Sequence, residues 1–156
     1  MKRLLWIFAA VMLAVPAVAS DRKIRPLPPE ACKAVGDTIG KAAGIPLAAR
    51  VGKSEFVQGV AGDACLLSGK ATGLTIGFAE AENKIDHSLA GWKHVPDYDA
   101  DGPFGTVKGF TKGTQTVVYN LETEPPAGTC DNIVIADCKV PRRLWRWTLE
   151  VVAFVQ

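Results

Sequence analysis

The chain has 156 residues, 48% of them hydrophobic, with 18 Lys and Arg against 16 Asp and Glu. That length suits one domain with a sizeable core. The near-balance of charge gives no support for a nucleic-acid partner, because the small positive excess lies in Lys2 and Arg3 at the extreme N-terminus.

Those two cations open a secretory signal pattern. They precede an apolar run over 4–15 and then Ala17-Val18-Ala19, small residues spaced as signal peptidase requires. The run is shorter than the roughly 20 residues that span a bilayer, and Pro16 interrupts its end. The reading is therefore a signal peptide over 1–19, cleaved near Ala19, with no transmembrane segment left afterwards. Ser20, not cysteine, follows the cut, so the lipid-attachment signal of bacterial lipoproteins is missing. The expected mature chain carries 16 cations and 16 anions and is periplasmic or secreted. No Asn-x-Ser/Thr sequon occurs at Asn83, Asn120 or Asn132, in keeping with a bacterial origin.

Residues 20–29, SDRKIRPLPP, form a Pro-rich, extended lead-in to a single domain over 30–156. Pro29 suits a first helical turn, with Glu30 favourable beside it. Cys32, Val35, Ile39 and Ala42 follow on one helical face, and Gly44 and Pro46 stop the helix. Residues 47–57 and 64–76 read as two strands joined through Gly59 and Gly62-Asp63. A second helix carries Phe78, Ala81, Ile85, Leu89 and Trp92 on one stripe, with Glu80 and Glu82 in its first turn and Gly91 at its end. His87 lies off that stripe, and His94 follows the helix with no evident partner.

Two further strands, 104–111 and 115–123, flank a Lys112-Gly113 turn. The connection from Glu124 to Arg143 is long for a compact domain, a sign of function or of separate fastening. The closing LWRWTLEVVAFV places Trp145, Trp147, Leu149, Val151 and Ala153 on one side of a strand with one buried face. The expected fold is an α+β two-layer sandwich, an antiparallel sheet of about five strands with two helices on one face.

All four cysteines, Cys32, Cys65, Cys130 and Cys138, lie beyond the signal segment, and an even count in an exported chain predicts two disulfides. Three pairings exist; Cys32–Cys65 with Cys130–Cys138 closes the shorter loops and is favoured. No Cys-x-x-Cys or Cys/His spacing suggests zinc or redox chemistry.

PDYDADGPFG, residues 96–105, resembles the first half of a calcium loop. Asp97, Asp99 and Asp101 occupy ligand positions 1, 3 and 5, and Gly102 the turn position. The twelfth place, which needs a bidentate glutamate, holds Lys108. Glu80, Glu82, Glu122 or Glu124 would have to complete a shell from elsewhere, so at most a weak calcium site is suggested. Asp, Gly and Pro are also ordinary turn residues.

Catalytic signals are poor. There is no Gly-x-Ser-x-Gly elbow or Ser-x-x-Lys pair. LSGKATG, residues 67–73, lacks the spacing of a phosphate loop. The aspartates do not by themselves specify a carboxylate pair across a cleft. What remains is PRRLWRW, residues 141–147, where Arg142, Arg143 and Arg146 interleave with Trp145 and Trp147. Arg and Trp are enriched at binding hot spots. The expectation is an exported, non-catalytic binding or inhibitory module recognising a protein or an anionic envelope component. Its contact surface is the 124–143 loop and the adjacent arginines. A calcium-stabilised structural domain is the alternative, and an envelope hydrolase ranks third.

Overall fold

The computed structural model describes residues 22–131, 133 and 137–156; the signal segment lies outside them. Along the chain come β1 (Arg22–Lys23), β2 (Arg25–Pro26), α1 (Pro29–Ala43), β3 (Ala48–Gly52), β4 (Val60–Ala61) and β5 (Ala64–Thr72). Then follow α2 (Phe78–Ser88), β6 (Lys93–His94), β7 (Ala100–Gly102), β8 (Gly105–Lys112), β9 (Gln115–Glu124) and β10 (Arg146–Val155). The architecture is α+β, with two disulfides as expected. The large sheet has eight strands, more than the five expected. The extra members are very short: β2 pairs with the end of β10, β6 with β8, and β7 with β8. Strands of two or three residues leave no readable alternation in sequence.

The order β3-β5-β10-β9-β8-β6 makes β10 and β9 central, and every strand pair in this sheet is antiparallel. Alternation then sorts the side chains. Cys65 and Leu67 of β5, Val117, Tyr119 and Leu121 of β9, and Trp147, Leu149, Val151 and Ala153 of β10 join Ile39, Ala43, Ala81 and Ile85 of the helices in one buried cluster. Both helices therefore cover the same face. α1 begins with Pro29 in its first turn and ends at Gly44, whose φ of 71° is the left-handed conformation glycine adopts without a Cβ penalty.

The other face is half covered too. Ile24, Val57, Ala64, Leu66, Val118, Val152 and Phe154 form a second cluster, and the small parallel β1–β4 ladder fastens the lead-in beside it. The last strand is thus buried on both faces over Val151–Phe154, not on one. The cause is non-local: the lead-in and the 53–63 segment cross the far face and cover residues that alternation alone would leave wet. The first strand is also shorter than expected, because after Gly52 the chain leaves the edge to take Val57 to this second cluster. Among the described residues no helix is long and apolar enough to cross a membrane.

Candidate recognition surface

The end of the sheet where β9 stops and β10 starts carries the long connection. Cys130 and Cys138 are joined across it, with Cα atoms 5.7 Å apart. Trp145, 1% exposed, plugs its return, and its Nε1 donates to the Val140 carbonyl at 3.0 Å. Trp145 precedes β10 and fastens the loop; Trp147, two residues on, is the one that enters the main core.

The three arginines divide their work. The Arg142 guanidinium lies over the Trp145 ring, 3.9 Å from its centroid, so its charge is spent locally in a cation–π contact. Arg146 pairs across strands with its register partner Glu124, Nη2 to Oε1 at 2.8 Å. Arg143 is exposed and, among the described residues, has no ion pair. Next to it Leu144 is 50% exposed, and Ile133 in the stapled loop is also 50% exposed. The turn between β7 and β8 reaches the same end: the Thr123 amide donates to the Phe104 carbonyl at 2.7 Å, and Phe104 is 45% exposed. Among the described residues, Val51 is the one exposed large apolar side chain that lies away from this end. Leu144, Ile133 and Phe104 escape a sequence reading because nothing in an apolar residue's immediate neighbours says that its loop leaves it uncovered.

The aspartates take separate partners. Asp97 sits in a 3-10 turn over Pro96–Tyr98. Asp99 accepts from His94 Nε2 at 3.0 Å, which corrects the expectation of an unsupported histidine; the His94 ring also lies 5.4 Å from that of Phe110. Asp101 belongs to β7 and accepts from Thr106 Oγ1 at 2.7 Å. His87 stays exposed, its ring nitrogen 2.7 Å from the Asn83 carbonyl. Among the described residues no three His, Cys, Asp or Glu side chains gather as a metal-binding group.

Lys108, the residue at the twelfth position of that loop, is the hub of a different cluster. It reaches from β8 to Asp86 and Glu82 of α2, at 2.7 Å to each. Asp86 also accepts from the Tyr119 hydroxyl at 2.7 Å. Burial lowers the Lys108 pKa, but the two carboxylates outweigh it and the net direction is up. Burial first, and then Asp86, hold the Tyr119 hydroxyl far above its ordinary value of 10.0. A fully buried tyrosine in its protonated form is an anchor for α2, not a base open to substrate.

No known protein family, curated protein or solved structure matches the chain. The site itself offers exposed apolar side chains beside Arg143, on a loop fastened by a disulfide, an indole and a cross-strand ion pair.

Proposed function

We propose that the protein is an exported binding module that recognises another protein through the β9–β10 end of its sheet. The carrying observation is that Leu144, Ile133 and Phe104, all about half exposed, share this end of the sheet with the exposed Arg143, which has no ion pair among the described residues. Exposed apolar side chains next to an arginine are a pattern that protein interfaces use. The complementary partner surface is apolar with an acidic spot. Export is supported by the N-terminal pattern and by two disulfides that leave no free cysteine.

Site-specific photocrosslinking in the intact host cell tests this. A photoreactive phenylalanine analogue at position 144 should give one discrete adduct, lost when Arg143→Glu is added. The same probe at position 33, on the exposed side of α1, should give none. No adduct at 144, or the same adducts from both positions, would sink the reading.

A further inference from the structure

A second surface lies at the β3 edge of the sheet, independent of the first. β3 pairs with β5 from Ala48↔Ser68 to Gly52↔Ala64, and among the described residues no strand pairs with its outer side. Natural edges are usually blunted by extreme shortness, charge, proline or a covering element. The far edge follows this rule, with two residues in β6 and three in β7. β3 does not. It presents five residues, Ala-Ala-Arg-Val-Gly, all exposed except Gly52, and Val51 is 62% exposed. Its single charge is Arg50.

Arg50 is also preplaced. Its guanidinium lies along the strand above Gly52, where even a Cβ would come within 3.0 Å of Nη1. It has no ion pair among the described residues. By register Arg50 shares a sheet face with Leu66, while Ala49 and Val51 share the helix-covered face with Leu67 and Cys65. On the Arg50 side a cleft of about 260 Å³ opens inward of the edge, over β5 and β10, with Lys53, Phe56 and Leu66 in its walls and Glu55 and Glu150 also lining it.

We propose that β3 accepts an extended segment of a partner protein by antiparallel strand addition, with an acidic side chain of that segment set against Arg50 and Lys53. Backbone pairing supplies the contact, and alternate side chains supply the selectivity. One face of the added strand extends the apolar surface of Ala49 and Val51. The other sets every second side chain on the face that carries Arg50. A second copy of this chain fits poorly. Arg50 is the middle residue of β3, so a two-fold antiparallel pairing centred there sets arginine against arginine, and like charges directly opposite destabilise a sheet.

The test uses ¹⁵N-labelled, oxidised protein recovered after export, titrated with the capped peptide Thr-Val-Glu-Val-Glu-Val-Thr. Amide shifts should concentrate at 48–53 and in the cleft wall at 55–56. Arg50→Glu, an exposed change that leaves the fold intact, should weaken binding about five- to tenfold as an attraction becomes a repulsion. A peptide with lysine in place of glutamate, or with alternate amides N-methylated, should not bind. Several results overturn the proposal: no shifts at millimolar peptide, shifts centred on 142–146, or an affinity indifferent to Arg50→Glu. Concentration-dependent shifts at 48–52 without peptide overturn it as well, by making a second copy the occupant.

Discussion

The Tyr119 hydroxyl, at the centre of the sheet, donates to Asp86 Oδ1 on α2 at 2.7 Å, while Asp86 Oδ2 receives Lys108 Nζ at the same distance. One carboxylate thus joins α2 to two adjacent strands. Asp86→Ala leaves a buried hydroxyl without its acceptor and removes one of two carboxylates from Lys108. A loss of about 2–3 kcal/mol is expected, against about 1 kcal/mol for Tyr119→Phe, which removes the donor and strands nothing buried. Urea unfolding of the two variants measures the difference. Equal losses would mean that the orphaned hydroxyl finds water.

The same cluster sets the alkaline limit of stability. Tyr119 and Lys108 both have folded-state pKa values raised above their ordinary 10.0 and 10.5. Above those values the unfolded chain releases protons that the folded chain keeps, so the unfolded state gains. Stability from this source is complete below about pH 10 and falls as pH rises further. Chemical unfolding measured from pH 8 to pH 11 should show that decline, and Tyr119→Phe with Lys108→Met should flatten it. An unchanged slope in the double variant would place the limit elsewhere.

How much of this was legible from sequence depended on whether the cause was local. α1 announces itself through Pro29, the Cys32–Ile39 face and Gly44; β9 through the alternation of Val117, Tyr119 and Leu121. Both disulfides follow from a preference for short loops. The second buried cluster does not, because Val152 and Phe154 are covered by Ile24 and Val57, distant in the chain. The arginines illustrate the same limit: three similar side chains within five positions become a cation–π partner, a free cation and a cross-strand ion pair. Lys108 could be seen to spoil a calcium loop, but its partner Asp86 is 22 positions away.

The two disulfides should differ in both weight and reactivity. Cys32–Cys65 spans 33 positions between α1 and β5 and is buried, at 6% and 0% exposure. Cys130–Cys138 spans 8 positions and is only partly covered. Loop entropy assigns roughly 4 kcal/mol to the first and roughly 2.5 kcal/mol to the second. Under native conditions dithiothreitol should open Cys130–Cys138 first, as followed by alkylation and mass spectrometry, with the thermal midpoint falling by several degrees at that step and further once Cys32–Cys65 is reduced. Simultaneous reduction would mean that the loop staple is coupled to global unfolding.

Gly69 is a position where the backbone itself forbids a side chain. A Cβ there would lie 2.1 Å from the Pro46 carbonyl oxygen and 3.0 Å from Ile45 and Leu47 atoms. The obstacle is main chain between α1 and β3, which cannot turn aside as a side-chain tip can. Gly69→Ala should therefore cost at least the 1–3 kcal/mol typical of overpacking, despite alanine's greater ease in a strand. Gly59→Ala meets nothing within 4 Å, but its φ of 70° makes any loss one of backbone strain alone. Comparing their denaturation midpoints separates the two causes, and an unaffected Gly69→Ala would show that the α1–β3 connection shifts freely.

Calcium provides the remaining check on PDYDADGPFG. Asp99 and Asp101 are held by His94 and Thr106, and Asp97 stands apart in its 3-10 turn. Gathering the three would break those contacts and pull Tyr98 from its seat over Gly109, where a Cβ would come within 2.5 Å of the ring. A ligand that binds only the native state must raise its stability by mass action. The expectation is no change in thermal midpoint between about 5 mM calcium, enough to populate even a weak extracellular-class site, and excess chelator. A clear rise, abolished by Asp99→Asn, would show that the loop rearranges around the ion and would favour a calcium-stabilised domain.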